Sequence, residues 1–233
     1  MKTLIAFHGD PKIKAKFSRR VRAHAKADEI VKGQYWEQGK GCAIGCTIHS
    51  GQHNAYETEL GLPAWLARLE DGMFEHLPNG TAKGFPAQFL QAIPVGANVS
   101  GVRDQFLAWL MDDPTYGTAH MATDPEVKAL AAEVARRLRS GEGVTGPEAD
   151  KLAGKLRDAW AARDGRDAWA AWAARAARDA WAARDARDAW DARDARAAWA
   201  AWDAWDAFVV ASMKELLRLL KAAPVPKKRK AVA

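Results

Sequence analysis

Cysteine is nearly missing from this chain. Two occur in 233 residues, Cys42 and Cys46, too few and too close together for the disulfide framework of a small secreted domain. No uncharged apolar run approaches the length needed to cross a bilayer. The opening stretch, MKTLIAFHGDPK, has only a brief apolar run before His8 and does not read as a signal peptide. A cytoplasmic protein with no membrane segment is therefore expected. Alternation at a period of two is also absent, apart from a short candidate strand at Thr3–Phe7, so the fold class is read as all-α. Residues 158–208 contain no aliphatic side chain larger than Ala. A core must then come from the residues before 140, where Leu, Ile, Val, Phe, Met and Trp recur.

Helix signals fill those residues. Asp10-Pro11 reads as an N-cap followed by proline at the first helical position. The helix they open is expected to reach Lys32 and stop at Gly33, with Ile13, Phe17, Val21 and Ile30 on its apolar face. Pro63 opens an amphipathic helix carrying Trp65, Leu66, Leu69, Met73, Phe74 and Leu77. Pro86 starts a short helix, Ser100 can cap another, and Asp124-Pro125 begins one more. Residues 1–139 thus read as one helical globular domain. Ser140-Gly141-Glu142-Gly143 opens a linker over 140–157, where Thr145 and Glu148 match a capping box.

From Asp158 to Phe208 the chain is a tripeptide repeat whose phase never slips, as in DAW AAR DAR. The third position is always Trp, Arg or Phe, and the middle one is Ala except at Gly165. A period of three belongs to neither an α-helix nor a strand. On an α-helix the Trp residues scatter around the circumference. On a 3₁₀-helix they form one stripe, but long 3₁₀ runs are rare. Ala and Arg favour the α form, so a helical rod is expected, α by preference and extended 3₁₀ as the alternative. The segment 209–223 reads as an amphipathic helix, and 224–233, with Lys227 to Lys230, as a disordered basic tail. With no proline and one glycine the rod should be continuous, and its indoles call for cover. Self-association through Trp160, Trp169, Trp172, Trp181, Trp190, Trp199, Trp202 and Trp205 is expected, making the protein a homo-oligomer.

The sharpest chemical constellation is Cys42, Cys46, His49 and His53. Were this stretch helical, all four would fall on one face, and two thiolates with two imidazoles are a zinc-like donor set. Four ligands along one helix span too much rise for one tetrahedral ion, so a site of two or three of them with a distant group is the more realistic form. Cys42 also reads as a nucleophile at a helix N-terminus, its thiol pKa lowered by the dipole and Lys40, with His49 or His8 as base. The acids Glu57, Glu59, Glu70 and Asp71 have no diagnostic pairing and are expected at the surface. Charge is uneven: residues 1–50 hold ten Lys and Arg against four acids. Lys12, Lys14, Lys16, Arg19, Arg20, Arg22 and Lys26 make the first helix the best patch for nucleic acid.

Phe7-His8-Gly9-Asp10, the run Ile30 to Trp36 and the run Gly39-Lys40-Gly41-Cys42-Ala43-Ile44-Gly45-Cys46-Thr47-Ile48-His49 resemble a family of uncharacterised bacterial and phage-associated proteins. The similarity continues through Tyr56-Glu57, Glu59-Leu60-Gly61 and Leu66 to Asp71, covering roughly residues 4–120. Members often carry Ala-rich C-terminal tails with aromatic residues at short intervals, to which the repeat is similar. The resemblance implies a bacterial or phage origin and carries over no activity and no catalytic residue. The residues themselves point first to a structural or interaction protein that associates through its rod. A Cys/His metal-dependent or thiol enzyme and a nucleic-acid binder are the alternatives.

Overall fold

Asp10 starts the first helix as its sequence suggests. In the computed structural model its Oδ1 accepts from the Lys12 N–H at 2.8 Å, and Pro11 occupies the first turn of α1, Pro11–Lys26. The structure describes residues 4–122, 124–144, 146–147, 150–151, 154 and 195–226, with backbone only for 195–203. Helix α1 stops well short of Lys32. Asp28 turns left-handed (φ 57°), the Glu29 N–H reaches back to His24 O at 3.0 Å, and the Asp28 N–H reaches Ala25 O at 3.4 Å. This is a Schellman ending with aspartate in the place usually held by glycine. It leaves Glu29 beside His24.

No strand forms over residues 4–7, where one was expected. Ala6 instead exchanges two backbone hydrogen bonds with Gly96 and Ala97, both 2.9 Å, and the chain then makes a left-handed turn at Phe7 (φ 56°) and His8 (φ 51°). The strands that do form, β1 (Trp36–Glu37) and β2 (Lys40–Gly41), are an antiparallel hairpin pairing Trp36 with Gly41. Gln38 and Gly39 both have positive φ at its tip, as a two-residue type I′ connection requires. Gly41 then pairs with the chain leaving α1, through Gly41 N–H to Glu29 O and Val31 N–H to Gly41 O.

Helix α2 (Ala43–Ile48) is buried at every residue and lies between α1 and α4. Three more helices follow it closely: α3 (Ala55–Glu59), α4 (Ala64–His76) and α5 (Asn79–Ala82). Then comes α6 (Phe85–Ala92), which packs on both α1 and α4. Phe17, Ile44, Leu60, Leu62, Leu66, Phe74, Phe85, Phe89 and Leu90 form the core of this unit, which comprises residues 1–102 and 205–233.

The second unit takes in residues 103–204, so the boundary expected at 139/140 lies inside it. Its described helices are the body of α7 (Val102–Asp112), α8 (Thr118–Met121) and α9 (Pro125–Ser140). The Asp113 carboxylate caps the turn after α7 by accepting from the N–H groups of Thr115 and Tyr116. Helix α9 is capped by Asp124 and ends at Gly141 (φ 78°). The final helix, α10 (Ala195–Lys221), contains the end of the repeat, so Ala195–Phe208 and the amphipathic segment that follows are one α-helix. Residues 158–194, the greater part of the expected rod, and the Lys227–Lys230 tail lie outside the described residues. The described residues are otherwise mostly helical, in keeping with an all-α reading, and no described helix is long and apolar enough to cross a membrane.

Candidate functional site

The backbone of Tyr35 sets the geometry around Cys42. Its carbonyl oxygen lies so close to two glycines that a Cβ would meet it at 2.0 Å on Gly41 and 1.4 Å on Gly45. Glycine alone fits at these positions, and the pair pins the start of α2 beneath the chain before β1. Cys42 is the N-cap residue of α2, and its N–H donates to Gln34 O at 2.7 Å. Cys42 is 1% exposed. Burial pushes it well above its ordinary range and the charge of Asp71 adds to the shift, while the N–H groups of Gly45 and Ile44 offset only part. A nucleophilic thiolate needs the opposite shift.

The principal surprise is on α4. Glu70 and Asp71 were expected at the surface, and both are buried. The reason is helical geometry: Leu66, Ala67, Glu70, Asp71, Phe74 share one face at spacings of three and four, and that face is the one α4 turns inward. The same spacing was legible in the sequence; charge concealed it. Glu70 Oε2 accepts from the Tyr56 hydroxyl at 2.8 Å, and its other oxygen is buried without a hydrogen-bond partner. Burial holds its carboxyl well above the usual range, with Asp71 adding to the effect and the Tyr56 bond opposing it, so the neutral acid is favoured.

Asp71 Oδ2 lies 3.1 Å from His53 Nε2, and the Tyr35 ring meets the His53 ring edge-on at 5.6 Å between centroids. Asp71 Oδ1 is buried, and the Tyr35 hydroxyl and the Cys42 thiol are placed to donate to the Asp71 carboxylate. One turn further along α4, Glu75 receives the Gly33 N–H on both oxygens at 3.1 and 3.0 Å. One carboxylate oxygen of Asp71, one of Glu75 and the Cys42 sulfur all lie within 4.8 Å of one another.

The four expected metal ligands do not act as one set. Helix α2 ends at His49, whose backbone is left-handed (φ 56°, ψ 38°), so the single helical face assumed for residues 42–53 is broken there. Cys42 and His53 turn toward Asp71. Cys46 and His49 turn toward the end of α1. The Cys46 thiol donates to Gly41 O at 3.2 Å and burial pushes it up to about 12, as befits a small core residue. His49 stacks on Trp36 at 4.2 Å between ring centroids. Its Nε2 lies 2.9 Å from His24 Nε2, and His24 Nδ1 lies 2.6 Å from Glu29 Oε2. The rings of His24 and His49 are 5.1 Å apart between centroids. Their nitrogens therefore point almost straight at each other, the geometry of an N–H···N hydrogen bond, with no room for an ion between them.

Of the basic residues on α1, Lys14 and Arg20 are taken up by the fold. Lys14 Nζ donates to the carbonyls of Gln91 and Ile93 at the end of α6, and Arg20 Nη1 to Thr47 O at the end of α2. Among the Trp residues expected to mediate association, Trp160, Trp169, Trp172, Trp181 and Trp190 lie outside the described residues. Trp199 and Trp202 are described only by their helical backbone. Trp205 is half-buried, its ring 5.8 Å from that of His76 and 6.2 Å from that of Phe208. Compared with protein-family models, with curated proteins and with solved structures, the chain matches none.

Proposed function

We propose that the first unit is a metal-dependent enzyme domain in which Cys42, Asp71 and Glu75 hold a zinc-class divalent ion. The observation that carries this reading is the convergence of the Cys42 sulfur with one carboxylate oxygen of Asp71 and one of Glu75, all within 4.8 Å of one another, on a face of α4 where Asp71 is buried. A buried carboxylate costs free energy unless its charge is compensated, and a cation would compensate it. Thiolate with carboxylates is a donor set zinc accepts. Coordination would also reverse the proton balance at Cys42, since a metal-bound thiol is deprotonated. His53 donates Nε2–H to Oδ2 and so orients Oδ1, the supporting contact that metal-binding carboxylates commonly have. Three protein ligands leave a position for water, the pattern of catalytic rather than structural zinc, which suits a metal-activated water and hydrolytic chemistry.

Elemental analysis of the purified chain, before and after dialysis against zinc, tests the reading. Stoichiometric zinc is expected in the wild type and in Cys46→Ser, and loss of it in Cys42→Ser and Asp71→Asn. A chain that takes up no zinc, or retains it in both of those variants, overturns the proposal.

A second role falls to the repeat, which we propose is a helical arm joining copies of the chain. Its support is the continuity of α10: the repeat's last residues run without a break into Phe208, Val209, Met213, Leu216 and Leu220, all buried. The remaining indoles lie outside the described residues, and the cover we propose for them is the repeat of a second copy. Sedimentation equilibrium should find an oligomer that dissociates when Trp169, Trp181, Trp190 and Trp199 become Ala. A monomeric wild type at tens of micromolar would sink the idea.

A further inference from the structure

Helix α1 has no acidic residue between Pro11 and Lys26, and the fold sorts its cations into two groups. Lys14 and Arg20 are spent on backbone carbonyls at the ends of α6 and α2. Lys12, Lys16, Arg19, Arg22 and Lys26 are all exposed. At about 100° per residue these five fall within a sector of roughly 120°. The buried side chains Phe17 and Val21 lie on the opposite side of the same helix. The ion pairs at the end of α1, Lys83 with Asp28 and His24 with Glu29, involve none of the five. The result is a straight row of cations about 21 Å long at 1.5 Å per residue, held on a helix whose other face is locked in the core.

We infer that this row docks on the phosphate backbone of a nucleic-acid duplex without reading its sequence. A duplex presents a dense array of phosphates, one per strand about every 3.4 Å of axis, and the row can neutralise those on the face of the duplex against which it lies. The helix backbone is already fixed by the core, so docking has only the side chains left to order. An anionic membrane surface would attract the same charges, but a helix that also inserts gains affinity through a free apolar face. Here that face is already occupied by the core. Phosphate contacts carry no sequence information directly, so binding through the row is expected to be uniform across sequences and strongly salt-dependent.

The test uses the full chain and a fluorescently labelled random-sequence DNA duplex, with anisotropy read over a series of salt concentrations. If all five cations meet phosphates, log K should fall against log salt with a slope of about −4.5. Each single change among Lys12→Ala, Lys16→Ala, Arg19→Ala, Arg22→Ala and Lys26→Ala should flatten the slope by about 0.9. These are exposed helix positions where Ala is well tolerated, and circular dichroism checks that the fold persists. Replacing Lys227 to Lys230 by Ala separates the tail from the helix and should leave the slope nearly unchanged. The proposal is overturned if no duplex is bound at low salt. It is equally overturned if the five changes leave binding intact while the tail variant abolishes it, or if the chain is retained on phosphatidylserine vesicles and not on duplex.

Discussion

Helix α4 carries Glu70 and Asp71 in the middle of its buried face, whereas α9 buries only Val127, Ala131, Val134 and Ala135. On α9 the acid Glu133 faces solvent and forms a two-pronged pair with Arg136, both contacts 2.8 Å. Arg136 also pairs with Glu142, and Arg139 with Asp112. Exposed pairs of this kind contribute little each and serve solubility as much as stability. Buried acids are different, because they cost free energy unless paired. Glu70 is held by the Tyr56 hydroxyl, whereas Asp71 lies beside Cys42 and Glu75, where a bound cation would offset the cost of burying its charge.

The widest contrast between the two units should come from glycine, at Gly45 in α2 and at Gly141 after α9. Gly45→Ala places a Cβ 1.4 Å from the Tyr35 carbonyl oxygen, a clash with backbone that no rotamer relieves. A loss of more than about 4 kcal/mol, or failure to fold, is expected by chemical denaturation. Gly141→Ala at the end of α9 meets nothing within 4 Å and should cost only about 1–2 kcal/mol for its left-handed backbone. Equal losses would erase the contrast.

Acids come next. Glu70→Ala removes the acceptor of the buried Tyr56 hydroxyl and opens a cavity, for about 2–4 kcal/mol. Glu133→Ala should leave the urea midpoint where it was. If Glu70→Ala is equally silent, α4 has relaxed around the change and its buried acids are not structurally committed.

The smallest effect is in pH. Desolvation holds the His49 imidazole below its ordinary value, and the charges of Arg20 and His24 add to it. Below about pH 6.5 the unfolded chain therefore binds this proton more readily than the folded one. The stability His49 contributes is present above that pH and is lost as pH falls toward the lower, folded value. His49→Asn, which tolerates the left-handed backbone, should flatten the fall in unfolding midpoint between about pH 7.5 and pH 5.5. Helix α9 contains no histidine and offers no counterpart. An unchanged pH slope in the variant would remove His49 as the cause.

Much of the helical plan was legible from punctuation. Asp10-Pro11, Pro63 and Asp124-Pro125 each stand where a helix begins, and Gly141 where one ends. The misses share a cause. Asp28 ends α1 through a turn that sequence assigns to Gly33, because tertiary pairing of Glu29 and Val31 with Gly41 pulls the chain away from the helix axis. Residues 4–7 make their ladder bonds with a distant loop, so a local strand pattern found no strand partner. The run from Cys42 to His53 reads as one helix only if the left-handed turn at His49 is unknown. Glu70 and Asp71 were set aside because carboxylates are rarely buried, although the periodicity of α4 already put them inside.

By itself, then, the amino-acid order determined where helices start, which faces are apolar, and that α1 carries cations with no acid among them. Those properties depend on residues within a few positions of one another, and spacing along the chain captures them. Only the tertiary structure decided which functional groups meet. The glycines at 41 and 45 let Tyr35 approach, and that approach fixes α2 against α4 so that Cys42, Asp71 and Glu75 converge while Cys46 and His49 face the other way. It also decided which cations of α1 are free to act, by tying Lys14 and Arg20 to carbonyls far along the chain. Such pairings are set by loop closure and close packing between remote segments, and no local pattern encodes them.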